Sequence, residues 1–276
     1  MRRILAIGLT GQVGEALLPS LPALGEVWGL SRDSHPDQAG ITWLRGSLQS
    51  MPPLPQGIDT VLSLGPLDAF ADWFERVELP GVRVIALGST GRQDKRDSND
   101  PRERDVAVAL SGAEGRLFAA GFRRGAAITV LRPTLMYGRG RDDSMSAMLA
   151  LARRFGVVVL PAGATGLRQP VHVDDVAGAV LACLAEAASE GHAFDLPGGE
   201  KLAFRAMVER SLARHAPGVR VRVVPRALFR SLLALVGLAG IRPVGPGFLE
   251  RVGRDQVADG STAGKALGYR PRGFEP

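Results

Sequence analysis

Cysteine is almost absent from this chain of 276 residues, in which Cys183 is the only one. A lone cysteine cannot form an intramolecular disulfide, and this fits a reducing compartment. The four histidines and this cysteine are too dispersed to suggest a metal centre, so we expect no metal. Together these shortages predict a cytoplasmic protein.

Long apolar runs are missing as well. The longest, residues 232–241, contains two glycines and falls short of the roughly 20 residues that a spanning helix needs. The basic start, Met1-Arg2-Arg3, precedes a short apolar run but no cleavage site, which argues against a signal peptide. We therefore expect a soluble protein with no membrane partner.

Lysine is scarce: only three of the 34 basic residues are lysines, and the formal net charge is +6. The arginines are scattered and do not form the stripe typical of nucleic-acid binding, so we expect no nucleic-acid partner. A codon-composition bias towards arginine explains the excess most simply. Individual arginines that meet anionic ligands are the alternative.

The most informative stretch that is present is a glycine loop near the start of the chain. It lies between an apolar run at residues 4–7 and a helix-forming stretch at residues 15–18. A strand, a glycine turn and a helix in this order direct backbone N–H groups at one point, where they can hold a pyrophosphate. We predict that the cofactor-binding residues of the loop are Gly8, Thr10, Gly11, Gln12, Val13 and Gly14.

The three glycines have different tasks. Gly8 permits the tight turn, Gly11 lets the backbone approach the phosphates, and Gly14 lets the helix pack closely on the strand. The spacing is GxxGxxG, which departs from the usual GxGxxG of dinucleotide-binding proteins. A glycine-rich turn without a ligand is the alternative interpretation.

Further apolar blocks follow at residues 27–31, 41–44, 59–64, 82–87 and 127–131. They are separated by helix-length segments and are apolar throughout, which indicates a parallel sheet covered on both faces. The predicted fold class is therefore α/β, with a Rossmann-type doubly wound parallel sheet. Residues 91–105 are dense in charge and predict an exposed loop, and residues 106–122 predict a helix.

In such sheets, ligands bind beyond the carboxyl ends of the strands. Arg32 follows the second strand, where a dinucleotide-binding fold meets the adenosine ribose. An arginine there pairs with a 2′-phosphate, whereas an acid would accept hydrogen bonds from a free 2′-hydroxyl. We therefore favour NADP over NAD as cofactor. A solvated pair of Arg32 and Asp33 in a turn is the alternative.

Several segments together resemble the extended short-chain dehydrogenase/reductases, also called the NAD-dependent epimerase/dehydratase family. They are the glycine loop, the strand end Ser89-Thr90, the run Leu-Arg-Pro-Thr-Leu-Met-Tyr-Gly at 131–138, an R-x-x-x-H-V-x-D segment beginning at Arg168, and a closing helix and turn at 261–271. They occur in the family's order and span almost the whole chain.

The resemblance implies a dinucleotide-binding domain of residues 1–135 plus 168–190, and a smaller C-terminal α/β lobe of residues 136–167 and 191–276 over the cofactor. It implies that the adenine lies near Ser47 and Leu48, although Ser47 stands where the family usually has an acid. The middle of the cofactor would pass Leu64, Gly65 and Pro66, and its nicotinamide end would contact Ser89, Pro133 and Thr134.

The resemblance also implies that Arg168 reaches a substrate diphosphate, as the matching arginine does in nucleotide-sugar members of the family. A solvated or structural role for Arg168 is the alternative.

The chain lacks the family's Tyr-x-x-x-Lys pair, in which the tyrosine moves a proton and the lysine lowers its pKa. Residues 104–117 contain neither residue. With Glu114 as anchor, Val106 and Leu110 occupy the two positions, and a register shifted by two places Val108 and Gly112 there. Candidates for the missing acid are Ser89, Thr90, Tyr137, Lys95 and His172. As alternatives, Ser89 and Thr90 only bind the nicotinamide ribose or cap a turn, Lys95 is solvated and His172 is structural.

The first function hypothesis is an NAD(P)-dependent oxidoreductase that passes hydride to or from a small organic substrate. The second is a redox-sensing protein that binds the dinucleotide without turnover. The third is a nucleotide-sugar epimerase or dehydratase, against which the missing pair counts most strongly. The apolar residues 228–238 form a core helix of the lobe, a pocket wall or a dimer face, and the sequence leaves a homodimer open.

Overall fold

The computed structural model describes residues 1–37, 40–140, 143–238 and 247–276. Its strands are β1 Arg2–Ile7, β2 Gly25–Ser31, β3 Ile41–Arg45, β4 Thr60–Ser63, β5 Arg83–Leu87, β6 Ala127–Pro133, β7 Met136–Tyr137, β8 Val157–Pro161, β9 Leu167–Arg168, β10 Val171–His172, β11 Ala193–Leu196, β12 Leu202–Ala203 and β13 Arg220–Val224. Its α-helices are α1 Gln12–Leu17, α2 Leu67–Phe74, α3 Gly91–Asp94, α4 Pro101–Arg124, α5 Asp143–Phe155, α6 Val173–Ala185, α7 Phe204–His215, α8 Arg226–Leu238, α9 Phe248–Arg251 and α10 Ser261–Leu267.

A seven-stranded parallel sheet forms the centre of the molecule, in the order β11-β6-β5-β4-β1-β2-β3. The strand order reverses beside β1, where Ile7 pairs with Leu30 on one side and with Ser63 on the other. The glycine loop leaves β1 at this reversal, which is where doubly wound sheets bind ligands. The predicted Rossmann-type fold class is confirmed.

Helices cover both faces of the sheet, because its strands are apolar on both sides. Leu17 of α1, Val180 of α6 and Leu267 of α10 belong to the apolar cluster on one face. Phe70 of α2 and Leu117 of α4 belong to the cluster on the other. Each fully buried side chain of this size stabilises the fold by about 1.5–3 kcal/mol.

Residues 91–105 are not an exposed loop, so that prediction was wrong. They contain α3 and the first residues of α4, which begins at Pro101. Asp100 caps α4 by accepting a hydrogen bond from Arg102 N at 3.0 Å, and proline suits the first helical position. The prediction assumed that the charged residues of this stretch are exposed. Glu103 is instead buried and accepts a hydrogen bond from Ser98 Oγ at 2.6 Å.

The strand β11 belongs to the central sheet, although the sequence division placed residues 191–276 in the smaller lobe. It pairs in parallel with β6, from Ala193 opposite Val130 to Leu196 opposite Pro133. Asp195 is accommodated in this edge strand by the Arg132 guanidinium, 3.3 Å away. The division into two domains otherwise stays a prediction.

The C-terminal part of the chain has a small apolar core of its own. Leu149 of α5 and Leu160 of β8 share it with Val208 and Leu212 of α7. β13 pairs in parallel with β8 and has largely exposed side chains.

Helix α8 combines buried and exposed apolar side chains. Phe229 is buried and stacks on Phe248 with ring centroids 6.0 Å apart, whereas Leu228 is exposed. The end of the apolar stretch, residues 239–241, lies outside the described residues. No helix in the described ranges combines the length and the apolar character that crossing a membrane demands.

Candidate functional site

The glycine loop packs so tightly that side chains are excluded from two of its positions. Gly8 has a φ of 87°, and a Cβ built there would lie 3.0 Å from the carbonyl carbon of Leu64. A Cβ on Gly14 would lie 2.4 Å from the Cα of Leu9. These backbone clashes could not relax, so glycine is required at both positions. The loop is thereby held against the ends of both β1 and β4.

The surroundings of this loop leave room and polar groups for a ligand. A Cβ on Gly65 would meet no atom within 4 Å. Gly11 precedes α1 without any side-chain cap for the helix N–H groups. The Gln12 side-chain oxygen is buried and has no hydrogen-bond partner among the described residues. A buried acceptor of this kind costs free energy unless another group donates to it. Thr10 and Val13 complete the predicted loop set, with Thr10 exposed and Val13 buried.

At the predicted adenosine end of the cofactor, Arg32 is exposed immediately after β2. Sequence reasoning missed Arg45, which ends β3 and is paired in register with Ser31. Both arginines are exposed, and neither forms an ion pair with any residue that the structure describes. Their adjacent positions on neighbouring parallel strands were the available signal. Arg45 thus ends β3, and Arg32 directly follows β2, at the same corner of the sheet.

Ser47 and Leu48 lie in the turn after β3. The backbone N–H of Ser50 donates to Ser47 Oγ at 3.1 Å, and Leu48 packs against the apolar cluster of α2 and α4. His35 lies nearby, with its ring nitrogen 2.9 Å from Ser31 Oγ and its ring 4.5 Å from the ring of Trp43.

At the carboxyl ends of β5 and β6 the structure brings together Ser89, Thr90, Pro133 and Thr134. The N–H of Thr90 donates to the Pro133 carbonyl at 3.2 Å, and Ser89 Oγ accepts from Gly91 N at 3.0 Å. Thr134 Oγ1 donates to the Gln169 carbonyl. The predicted nicotinamide-contacting residues are thus neighbours in space.

Lys95 lies near these strand-end residues, although the charged residues around it in the sequence suggest a solvated side chain. A Cβ built on Gly91 would be 3.1 Å from Ser89 Oγ and 3.7 Å from Lys95 Cε. The Ser89 hydroxyl and the Lys95 side chain therefore both lie next to Gly91. Asp94, which sequence reasoning missed, accepts a hydrogen bond from Thr90 Oγ1 at 3.3 Å.

Helix α4 contributes a buried ion-pair network to the same end of the sheet. Glu114 is paired with Arg92 at 2.7 Å and with Arg132, which also contacts Asp195. Burial favours the protonated form of Glu114, but hydrogen bonds from Arg132 and Arg92 outweigh it and lower its pKa. Glu114 therefore stays ionised. Val106, at the position predicted for the family's tyrosine, has an exposed aliphatic side chain.

Tyr137 is buried, and its hydroxyl is engaged by the C-terminal segment. It donates to the Gly273 carbonyl at 3.0 Å and accepts from Glu275 N at 3.2 Å. Burial raises the pKa of this phenol above its ordinary value. Its ring forms an edge contact with His172 and lines a cavity of about 480 Å³ in the C-terminal part of the chain. The acid role predicted for Tyr137 stays a prediction.

His172 caps helix α6. Its Nδ1 accepts a hydrogen bond from Asp174 N at 3.2 Å, a contact that requires this nitrogen to be unprotonated. Burial and the nearby Arg272 guanidinium lower the pKa of His172. The histidine is therefore neutral at physiological pH, which supports its structural interpretation.

Arg168 is buried to 4% exposure and stacks over the Phe204 ring at 5.2 Å. Its guanidinium donates to three backbone carbonyls, those of Leu167, Arg251 and Arg254, at 2.6–2.8 Å. Burial and the Arg251 charge lower its pKa to about 10. These bonds support the structural interpretation, and the substrate contact stays a prediction. Nowhere in the described ranges do three or more His, Cys, Asp or Glu residues converge as a metal site would need.

A glycine loop at the strand-order reversal of a parallel, doubly wound sheet defines the class of this protein: a Rossmann-type α/β fold. No protein-family model matches the chain. Among curated proteins it is 27% identical over 151 residues to the uncharacterized protein y4nG of Sinorhizobium fredii (strain NBRC 101917 / NGR234). This match covers 54% of the chain and 37% of that relative, so the chain corresponds to well under half of its length.

Solved structures match nearly the entire chain. MoeE5 in complex with UDP-glucuronic acid and NAD has a TM-score of 0.70 at 20% identity, over 99% of this chain and 94% of that one. The UDP-glucuronic acid 4-epimerase from Bacillus cereus in complex with NAD has a TM-score of 0.70 at 14% identity, over 98% and 93%. The epimerase Mth375 from Methanothermobacter thermautotrophicus has a TM-score of 0.70 at 15% identity, over 98% and 88%. This likeness confirms the predicted resemblance to the extended short-chain dehydrogenase/reductases at the level of the fold.

Proposed function

We propose that this protein binds a nicotinamide dinucleotide and passes hydride between it and a small organic substrate. The observation that carries the proposal is the glycine loop, where close backbone approach at Gly8 and Gly14 coincides with open space at Gly65 and an unpaired buried oxygen on Gln12. Solved proteins of the same fold were crystallised with NAD, which supports the assignment of the ligand.

The residues at the carboxyl ends of the strands fit such a cofactor from end to end. The loop backbone would hold the pyrophosphate, and the turn of Ser47 and Leu48 would lie against the adenine. Pro133 and Thr134 would border the nicotinamide, with Ser89 and Thr90 beside its reacting face. When bound, the nicotinamide supplies a hydride donor or acceptor at its C4 atom.

The experiment that tests binding uses a side chain in the open space. Gly65→Val adds a branched side chain where a Cβ meets no atom within 4 Å, so the fold tolerates it while the cofactor path is obstructed. Gly178→Val, on the exposed face of α6 and equally free of contacts, is the matched control. We expect calorimetric titration to show dinucleotide binding by the wild type and the control and strongly reduced binding by Gly65→Val. A wild type that binds neither NADPH nor NADH would overturn the proposal.

We propose NADP as the preferred cofactor, because Arg32 and Arg45 both end strands at the predicted ribose corner and have no ion-pair partner among the described residues. A guanidinium pair suits a 2′-phosphate better than a free 2′-hydroxyl.

A second function, dinucleotide binding without turnover, is favoured by one observation. Helix α4 carries no tyrosine or lysine, and its aligned positions hold Val106 and Leu110. The two functions are separated by adding NADPH and a panel of aldehydes, ketones and enones. Consumption of NADPH with any of them supports the oxidoreductase, whereas tight binding without consumption supports the non-catalytic protein. A nucleotide-sugar substrate fits less well, since Arg168 already donates to three carbonyls. A homodimer stays a prediction.

A further inference from the structure

A carboxyl group lies behind the Thr90 hydroxyl, at the predicted nicotinamide end of the cleft. Helix α3 follows β5 after three residues and places Asp94 Oδ2 3.3 Å from Thr90 Oγ1. The same hydroxyl lies 3.5 Å from the carbonyl oxygen of Pro133, and Thr90 is only 5% exposed. Thr90 therefore stands between a carboxyl group and the strand end where the reacting part of the cofactor is expected.

The position of α3 is held by contacts with the C-terminal part of the chain. Glu103, in the first turn of α4, forms an ion pair with Arg251 and accepts a hydrogen bond from Ser98. The N–H of Asn99 donates to Glu250 Oε2 at 3.4 Å. These contacts fix the segment between α3 and α4. The Asp94 carboxyl group is therefore carried by a helix whose following segment is held in place.

Three other titratable groups at this end of the sheet are already committed. Glu114 is held ionised by Arg92 and Arg132, the Tyr137 hydroxyl is bonded to the C-terminal segment, and His172 caps α6 as a neutral ring. None of them has a proton available for transfer to a substrate oxygen. Asp94 differs, because within the described ranges Thr90 is the one side chain that donates a hydrogen bond to its carboxyl group.

Four charged or polar groups face Asp94: Thr90, Arg168 of β9, Asp195 of β11 and the adjacent Lys95. Burial raises the pKa of Asp94. The Thr90 hydrogen bond, the Arg168 charge and the Lys95 charge oppose that rise, while Asp195 adds to it. The net direction is upward, so this carboxyl retains its proton to a higher pH than an ordinary aspartate.

We propose that Thr90 and Asp94 form a proton relay that replaces the absent tyrosine, with Thr90 touching the substrate oxygen and Asp94 serving as the proton reservoir behind it. The relay rests on the proposed hydride-transfer function.

In the direction of reduction, the substrate carbonyl carbon gains a hydride from a reduced nicotinamide dinucleotide, which is thereby oxidised. The π electrons of the carbonyl move to its oxygen, which forms an O–H bond with the proton of Thr90 Oγ1. Thr90 Oγ1 takes the proton of Asp94, and the resulting carboxylate regains a proton from water. The sum is one carbonyl, one hydride and one proton converted to one alcohol; oxidation runs the same transfers in reverse.

The first test needs neither turnover nor cofactor. Titration of the aspartate carboxyl carbons by NMR, with Asp94 assigned through Asp94→Asn, should show that Asp94 titrates above the ordinary aspartate range. Thr90→Val should raise its pKa further, because the Thr90 hydrogen bond favours the charged form. An Asp94 that titrates at or below the ordinary value, or that is unmoved by Thr90→Val, would overturn the relay.

The second test compares Asp94→Asn with Asp97→Asn, an exposed aspartate three positions further along. Asp94→Asn should lower kcat for carbonyl reduction by about 10²- to 10⁴-fold. It should also remove the decline of kcat with rising pH that deprotonation of Asp94 causes. Dinucleotide affinity should be unchanged in both variants, and Thr90→Ser should keep the activity that Thr90→Val loses.

The outcomes separate the two proposals. If the wild type binds no dinucleotide, or binds it without consuming it with any substrate of the panel, hydride transfer is refuted and the relay with it. If the wild type turns over and Asp94→Asn matches Asp97→Asn in rate and pH profile, the relay alone is refuted. If Asp94→Asn does not fold, the activities of Thr90→Ser and Thr90→Val test the relay instead. Equal activity of these two variants would refute it.

Discussion

The proposed preference for NADP depends on two exposed arginines at one corner of the sheet, and their removal is the sharpest test of cofactor choice. Arg32 follows β2 directly, and Arg45 ends β3 opposite Ser31. Neighbouring strands in a sheet are about 4.8 Å apart, well within the reach of two arginine side chains. Neither guanidinium forms an ion pair within the described parts of the chain, so substitution by alanine leaves no buried charge behind.

The expected magnitude follows from the charge and the exposure. A hydrogen bond to a charged group contributes about 1.5–3 kcal/mol, and solvent exposure favours the lower end of this range. Because 1.4 kcal/mol corresponds to a factor of ten, Arg32→Ala should weaken NADPH binding by roughly 10- to 30-fold. Arg45→Ala should act in the same direction. NADH lacks the phosphate, and its affinity should change by less than about twofold.

The assay is a calorimetric or fluorescence titration of NADPH and NADH into the wild type, each single variant and the double variant at one ionic strength. Arg76→Ala, an exposed arginine beyond the end of α2, is the control for lost net charge. Raising the salt concentration should narrow the difference between the two cofactors, since exposed charges are screened. An equal loss of NADPH and NADH affinity in Arg32→Ala would refute the reasoning, as would no loss of either.

Three further predictions concern buried groups. Glu114→Gln should lower the free energy of unfolding by about 2–4 kcal/mol at neutral pH, because it leaves two buried or half-buried arginines less well paired. The folded-state pKa of Glu114 lies below its ordinary 4.5. The stability that Glu114 contributes is therefore present above pH 4.5 and is lost as the pH falls through the folded-state pKa. Denaturant titrations at pH 7 and pH 3 will measure this loss. Cys183 is buried and its pKa is raised to about 11, so a thiol reagent at pH 8 should label it only after unfolding; rapid labelling of the native protein would contradict its placement. Tyr137→Phe should cost about 1 kcal/mol of stability through its lost hydrogen bonds to the C-terminal segment, with kcat unchanged. A loss of 10²-fold or more in kcat would instead identify Tyr137 as the acid.

Much of the fold was predictable because its signals are local. The apolar blocks fall where β1 to β6 lie, and the helix predicted at residues 106–122 lies within α4. The start of α4 was also within reach, since an aspartate followed by proline is a common helix start, but the density of charge in residues 91–105 obscured it.

The placement of β11 was not predictable in this way. Its four residues include Asp195, whose charge is paired, in the described part of the chain, with Arg132 of the neighbouring strand β6, 63 positions away. The surroundings of Arg168 depend likewise on distant carbonyls at residues 251 and 254.

The sequence by itself determined the strand-turn-helix start, the parallel character of the sheet and the absence of the usual tyrosine and lysine. These are properties of short stretches, and hydrophobic period and glycine spacing report them directly. Only the tertiary structure decided which charged groups are neutralised, which hydroxyls are occupied and which carboxyl lies behind Thr90. Those outcomes depend on burial and on partners far apart in the chain, since a pKa or a free hydrogen-bonding group is defined by its surroundings in space.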